Sequence, residues 1–248
     1  MDNALINPSR LKGEPELSGS CLFLINPQEA RYAAMDARNA GAQSFPLFHS
    51  TLFEISRGTS TPHSWAGPAV GAPFAVITLE KLIALGVRRC IVLGWCGSLT
   101  PALQVGDIVL PTWAISEEGT SPHYPGERPP QSSPKLRQGL SSYLSSKSIT
   151  VTEGPVWTTD ALYRETRKKI SDYAEQSILA VDMEFSALAS VAAFRKIDLA
   201  AALLVSDELF HPEWNSGFHR KSFRKKSRHL FNMMAEFLNS ADTNLQNG

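Results

Sequence analysis

Two carboxylates stand at opposite boundaries of one predicted helix–strand unit in the C-terminal third of the chain. Glu184 follows Val181-Asp182-Met183 at the start of a predicted helix, and Asp207 closes the apolar run that ends at Val205-Ser206. Removing a carboxylate from water is costly unless the group is paired or performs a function. One acid is suited to binding hydroxyl groups and the other to donating a proton. The pair therefore suggests chemistry on a compound that joins a sugar to a base.

Composition excludes several classes of protein. The chain has 248 residues, 43% of them hydrophobic and 19% charged, which is typical of a globular enzyme. Its 24 Lys and Arg balance 24 Asp and Glu, so we predict no nucleic-acid partner. Three cysteines without paired spacing predict no disulfide framework and favour the cytoplasm. The longest apolar run, residues 199–205, is too short to span a membrane, so no membrane association is expected.

Short apolar runs alternate with helix-like segments, which predicts an α/β fold with a largely parallel sheet. The predicted strands are residues 21–25, 89–94, 107–111, 149–155 and 199–205. One predicted helix begins at residue 27, and the others cover residues 74–85, 135–145, 160–173, 184–194 and 218–238. Residues 119–134, rich in Pro, Gly, Ser and His, predict a long surface loop. We predict a single domain over residues 21–238, with a flexible arm at 1–20 and a flexible tail at 239–248.

Ligands of α/β folds collect at the carboxyl ends of strands, and four such ends carry suggestive residues, two of them at Glu184 and Asp207. Gly94-Trp95-Cys96-Gly97-Ser98 follows a predicted buried strand, and its glycines let backbone approach a ligand closely. This turn matches neither the dinucleotide-binding nor the phosphate-loop pattern. Trp157, near the end of another strand, either stacks on a planar base or fills the core. No metal site is predicted, since the spacing of the later histidines better suits a helix surface: His211, His219 and His229.

Five short segments together give the chain a family resemblance. They are Gly71-Ala72-Pro73, Gly94 to Ser98, Val105 to Val109, Val181 to Glu184, and Val205 to Asp207. In order and spacing, over roughly residues 21–238, they resemble the nucleoside phosphorylase/uridine phosphorylase family, which includes purine nucleoside phosphorylases and methylthioadenosine nucleosidases. The resemblance implies a three-layer α/β/α domain with a mixed, partly barrel-like central sheet. It also implies cleavage of a nucleoside N-glycosidic bond, no cofactor, and a homo-oligomer.

The resemblance also assigns roles by position. Glu184 would bind the ribose hydroxyls and Met183 would pack on the sugar. Asp207 would lie at the purine N7, where protonation of the leaving base is worth roughly 10²–10⁴-fold in rate. Uridine-cleaving members generally differ at that position, so Asp207 favours a purine. Arg220 would support this acid, Trp157 would stack on the base, and the remaining substrate-binding positions are Gly97, Ser206 and Trp95.

The binding site for the second substrate departs from the family pattern. Phosphorylases of the family bind phosphate through arginines, but here Glu29 and Val92 occupy the arginine positions. Trp95 likewise replaces a small hydroxyl residue. A carboxylate at Glu29 would repel phosphate, although its position also suits an exposed acid in the first turn of a helix.

Three hypotheses remain open from the sequence. Phosphorolysis to free base and ribose 1-phosphate is the leading one, with phosphate as co-substrate bound by Arg31, Arg57 or Arg88. The second is hydrolysis, in which Glu29 activates a water molecule. The third is a catalytically silent protein that binds nucleosides, which the missing arginines suggest.

Overall fold

The computed structural model describes residues 4–17, 19–55, 63–126 and 128–245, and the side chains of these residues as far as 239. Within these ranges ten strands form one mixed sheet. The strands are β1 (Gly19–Leu24), β2 (Gln43–Leu47), β3 (Ser50–Ile55), β4 (His63–Gly67), β5 (Val87–Ser98), β6 (Ile108–Glu117), β7 (Thr152–Thr159), β8 (Ala180–Asp182), β9 (Asp198–Glu208) and β10 (Asn215–Ser216). The α-helices are α1 (Pro27–Asn39), α2 (Ala72–Leu85), α3 (Pro134–Ser146), α4 (Arg167–Glu175), α5 (Phe185–Arg195) and α6 (Lys221–Leu245).

Part of the sheet closes on itself. The strand order is β10-β9-β6-β7-β8-β5-β1-β4-β3-β2, and β9 pairs a second time with β5. This second pairing joins β5, β8, β7, β6 and β9 into a small barrel. The β5–β9 pairing is parallel from Arg89↔Asp198 to Ser98↔Glu208, with one register shift between Cys96 and Gly97. The predicted mixed, partly barrel-like sheet is confirmed.

Helices cover both faces of the sheet. Apolar side chains of α2 and α5 pack on one face, and those of α1, α3 and α6 pack on the other. α6 is amphipathic, because Phe223, Leu230 and Met234 recur on the side of the helix that faces the core. Burying one such side chain stabilises the fold by about 1.5–3 kcal/mol. The three-layer α/β/α prediction is confirmed.

The helix predicted over residues 160–173 is interrupted. A short 3₁₀ turn covers Leu162–Arg164, and α4 begins only at Arg167. The hydroxyl of Thr166 accepts a hydrogen bond from the Lys169 N–H at 3.4 Å and so caps the new helix. The single-helix prediction is wrong because this local cap competes with continuation of the helix. Glu165 consequently stands between the two segments.

Both ends of the chain differ in detail from the prediction. Residues 4–17 form no helix or strand, but the N–H of Leu17 donates to the Leu85 carbonyl at 2.7 Å, and Lys81 Nζ donates to the Ser9 carbonyl at 2.7 Å. This arm therefore lies along α2. α6 continues to Leu245 instead of ending at residue 238, since no Pro or Gly interrupts residues 239–245. Across the described ranges, no helix has both the length and the apolar character that a membrane span requires.

Candidate active site

The register of the barrel strands brings the two acids of the sequence prediction to one place. Gly97 on β5 pairs with Val181 on β8 and with Asp207 on β9. A Cβ atom at position 97 would lie 3.2 Å from Asp207 Oδ2 and 3.3 Å from a Val181 methyl carbon. Glycine is therefore required for close approach at the point where β5, β8 and β9 meet. Glu184 follows β8 by two residues and so lies beside the same junction.

Glu184 is held by the backbone of a neighbouring helix. Its side chain is 5% exposed, and its Oε1 accepts the Gly71 N–H at 2.6 Å. Gly71 precedes α2 with φ +90°, a conformation that favours glycine. Burial first, and the charge of Asp182 second, raise the pKa of Glu184 above its usual range. Met183 is half-buried directly before it.

Asp182 stabilises the connection between β8 and α5. Its Oδ1 accepts the Thr158 hydroxyl at 2.6 Å, and its Oδ2 accepts the N–H groups of Glu184 at 3.0 Å and Phe185 at 2.6 Å. These bonds satisfy the free N–H groups at the start of α5. Asp182 stands in the family-like motif, but only the structure assigns it this supporting position.

Both oxygens of Asp207 accept hydrogen bonds. Oδ1 accepts the Ser206 hydroxyl at 2.6 Å, and Oδ2 accepts the indole N–H of Trp214 at 2.8 Å. Trp214 is 61% exposed, so it covers Asp207 from the solvent side. The predicted support from Arg220 is wrong in this structure, because that guanidinium donates to Asn215 Oδ1 at 2.7 Å and forms no ion pair with Asp207. Trp214 was missed because a solvent-exposed aromatic residue in a loop gives no periodic signal.

Trp157 fills the core and offers no face to a ligand. Its side chain is fully buried, and its indole N–H donates to Glu117 Oε2 at 3.0 Å. Tyr173 of α4 packs against the ring with 4.8 Å between centroids. The base-stacking prediction is therefore corrected in favour of the packing interpretation, because β7 turns this side chain towards α4.

A second buried carboxylate lies where the family pattern expects phosphate. Glu29 of α1 is 1% exposed, and its Oε1 accepts the Trp95 indole N–H at 2.9 Å and the Ser227 hydroxyl. Oε2 is buried and has no hydrogen-bond partner among the described residues. Burial raises the pKa of Glu29 despite these two hydrogen bonds. The exposed-acid interpretation of Glu29 is thus wrong.

Ser227 is the residue of this group that sequence reasoning missed. It lies on the apolar side of α6, 198 positions from Glu29, and it also accepts a hydrogen bond from Gln28 Nε2 at 3.2 Å. The sequence did hold a signal for Ser227, because a serine on the apolar stripe of an amphipathic helix indicates a buried polar partner. Trp95 closes the other side of the carboxylate, and its ring stacks on Phe218 at 6.1 Å between centroids.

The cations proposed to bind phosphate are not gathered here. Arg88 donates to the Ile83 and Val87 carbonyls at the start of β5, the end of the strand remote from Gly97. Arg31 is exposed on α1, and Val92 is a core residue. Arg57 lies outside the described residues. Over the described part of the chain, no group of three or more His, Cys, Asp or Glu could hold a metal ion.

Comparison with known proteins gives the geometry a context. The chain is similar to a crystal structure of purine nucleoside phosphorylase from Toxoplasma gondii in complex with immucillin-H, with TM-score 0.81, 20% identity, and 97% and 98% of the two chains covered. It is also similar to uridine phosphorylase from Vibrio fischeri, with TM-score 0.76, 20% identity, and 90% and 91% covered. These likenesses concern the fold.

Sequence relatives match over part of the chain. A guanosine phosphorylase of Halorubrum lacusprofundi is 30% identical over 141 residues, which is 56% of this chain and 58% of the relative. A DeoD-type purine nucleoside phosphorylase of Bacillus cereus is 28% identical over 159 residues, which is 63% of this chain and 68% of the relative. The model of the phosphorylase superfamily matches residues 26–239, nearly the whole described fold. The chain belongs to the phosphorylase superfamily.

Proposed function

We propose that this protein cleaves the N-glycosidic bond of a purine-type nucleoside by phosphorolysis, giving free base and ribose 1-phosphate. The observation that carries the proposal is the β5–β8–β9 junction, which sets Asp207 and the anchored Glu184 around Gly97. The names of the sequence relatives, a guanosine phosphorylase and a purine nucleoside phosphorylase, support the choice of a purine.

The side chains at the junction suit the charges that develop as the bond breaks. The departing purine gains negative charge, which a proton from Asp207 at N7 would neutralise. The ribose becomes cation-like, and Glu184 binds its hydroxyls and stabilises that charge. Met183 packs on the sugar, while Gly97 and Ser206 leave space beside the base. For this to occur, Trp214 has to release Asp207 Oδ2.

Hydrolysis is the second candidate, and the buried Glu29 favours it. A phosphate dianion beside that carboxylate would be repelled, and no arginine of the described residues pairs with Glu29. The unpartnered Oε2 could instead accept a hydrogen bond from water. Purified protein should be incubated with purine nucleosides with and without phosphate. Phosphate-dependent ribose 1-phosphate supports phosphorolysis, free ribose supports hydrolysis, and binding without turnover supports the silent protein.

Glu29→Gln is expected to lower the KM for phosphate by about ten-fold, since it removes a negative charge and keeps the shape of the side chain. Phosphate-saturation kinetics of both proteins measure this effect. Asp36→Asn, on the same helix, serves as the control and should leave the KM unchanged. If Glu29→Gln instead abolishes base release at every phosphate concentration, Glu29 acts as a base and the hydrolase is the better function.

Trp214→Phe is expected to strengthen nucleoside binding by about five-fold, because the substrate no longer has to displace an indole N–H from the Asp207 carboxylate. Calorimetric titration with a purine nucleoside measures the Kd. Trp113→Phe provides the control, because the indole N–H of Trp113 has no hydrogen bond to any residue that the structure describes. Weaker binding by Trp214→Phe would mean that the ring contributes to the site in the bound state.

The remaining properties follow the same proposal. The enzyme works without a cofactor, with phosphate as co-substrate. The cysteines Cys21, Cys90 and Cys96 are free and buried, which supports a reducing compartment such as the cytoplasm. Exposed Phe48 and Ile77 support a homo-oligomer, which light scattering of the purified protein would test.

A further inference from the structure

The loop between β9 and β10, residues 209–214, lies over the acid of the junction and is called the cover loop below. From residue 211 onward the loop is exposed, so few buried contacts hold it in place. Its Trp214 nevertheless donates to Asp207 Oδ2 at 2.8 Å, and Arg167 of α4 donates to a backbone carbonyl of the loop. A purine therefore reaches the acid only after the indole has moved away.

Glu208, the last residue of β9, holds the cover loop through its buried carboxylate. Its Oε2 lies 2.7 Å from His211 Nε2 and accepts the side-chain amide N–H of Asn215 at 2.6 Å. A carboxylate only accepts hydrogen bonds, so His211 Nε2 carries the proton between them. Oε1 accepts the Val105 N–H at 2.9 Å, which fixes the carboxylate to the turn before β6. Residues on both sides of Trp214 are thus fastened to one buried group.

The charge of Glu208 strengthens these bonds. Burial alone would raise the pKa of Glu208, but the hydrogen bonds that it accepts bring this pKa below its usual value. The group is therefore a carboxylate near neutral pH, and hydrogen bonds to a charged group are stronger than those between neutral groups. The two bonds from Glu208 Oε2 to His211 and Asn215 are called the latch below.

Aromatic rings extend the cover beyond Asp207. The Trp214 ring lies 6.0 Å from the Phe218 ring between centroids, and Phe218 stacks on Trp95 at 6.1 Å. Trp95 is the residue whose indole N–H donates to Glu29. When the cover loop is closed, Asp207 and Glu29 thus lie beneath one row of three rings.

We propose that Glu208 is a positioning residue that keeps Asp207 covered in the unliganded protein, because its latch holds the cover loop and Trp214 in the closed position. Glu208 acts through the loop and does not touch the substrate. Nucleoside binding competes with closure, so the apparent Kd equals the intrinsic Kd divided by the fraction of molecules in which the loop is open. The inference rests on the proposed binding of a purine-type nucleoside at Asp207.

His211→Ala tests the latch from the loop, where the residue is exposed and its replacement leaves the core intact. We expect the indole N–H of Trp214 to exchange with solvent about five-fold faster, since the loop loses one hydrogen bond to a charged group. Nuclear magnetic resonance of the protein without substrate measures this exchange, and Trp214→Phe identifies the signal. His211→Gln, whose amide N–H can replace the imidazole donor, should restore slow exchange. His229→Ala, exposed on α6, should match wild type.

Glu208→Gln tests the latch from the strand. Glutamine has one acceptor oxygen, so it can serve either Val105 or the cover loop. In both His211→Ala and Glu208→Gln we expect the Kd for guanosine, measured by calorimetry, to fall about five-fold. The KM for guanosine should fall as well, with kcat nearly unchanged. Replacing a residue that only stabilised the fold would instead raise KM or lower kcat.

A double-mutant cycle shows whether the latch acts through Trp214. In Trp214→Ala the cover is gone, so adding His211→Ala should change the Kd no further. Unchanged indole exchange in His211→Ala, weaker guanosine binding by that variant, or an equal effect of the substitution with and without Trp214 would overturn the inference. If indole exchange responds as expected but wild type neither binds nor cleaves guanosine or another purine nucleoside, the proposed function fails and the latch remains supported.

Discussion

Asp207→Asn is expected to lower kcat for purine nucleoside cleavage by about 100-fold or more, which is the usual contribution of a general acid. Asparagine keeps the size of the side chain and can still interact with Ser206 and Trp214. It cannot pass a proton to N7, so the leaving base departs as an anion. Steady-state assays at saturating phosphate measure the loss.

A substrate with a better leaving group sharpens this test. A nucleoside whose base departs readily without protonation should lose much less activity in Asp207→Asn than a natural purine nucleoside. Asp198→Asn, at the other end of β9 and exposed, is the matched control and should retain wild-type rates. Equal losses for both substrates would show that Asp207 only shapes the site, and an unchanged kcat would remove it from the acid role.

Glu184→Gln should produce the second large effect, a loss in kcat/KM of about 100-fold. Hydrogen bonds to a charged group contribute roughly 1.5–3 kcal/mol each, and in the proposed function Glu184 binds the ribose hydroxyls. At pH values above the raised pKa of Glu184, where its carboxyl group is ionised, the variant also loses the negative charge that faces the cation-like sugar. Kinetics with a ribonucleoside and its deoxyribose analogues measure the effect. The substitution should lower kcat/KM less for the deoxyribose analogues than for the ribonucleoside. Equal reductions of kcat/KM for all of these substrates would contradict a sugar-binding role.

The same substitution should change how stability depends on pH. The pKa of Glu184 is raised in the folded protein above its ordinary 4.5, so the folded state retains a proton that the unfolded chain releases. Wild-type stability therefore falls as pH rises from about 4.5 towards the folded pKa. Glu184→Gln lacks this loss, so its stability relative to wild type should increase over that range. Urea unfolding at mildly acidic and mildly alkaline pH checks the sign, and Glu175→Gln should show no such trend.

Much of the fold was predictable because it is encoded by local patterns. Apolar runs and helical periodicity placed β1, α2 and α5 within a few residues of their observed bounds, and they placed the start of α1 at Pro27. The strands β2, β3 and β4 were not assigned, since they pair mainly with one another and with β1 at the far side of the sheet. Thr166 shows the limit of predicting helices from periodicity. The helical pattern of residues 160–173 continues past this residue, but its hydroxyl caps α4 and so starts a new helix there.

The sequence by itself determined the superfamily and the two acids of the junction, Glu184 and Asp207. Short motifs in a fixed order identify the superfamily, and two of these motifs contain the acids. Only the tertiary structure decided the partners of these and the other acids. Trp214 took the place expected of Arg220, and Ser227 reached Glu29 from 198 positions away. The physical reason is that burial and hydrogen bonding set the protonation of a carboxyl group. Both depend on residues that are neighbours in space and distant along the chain.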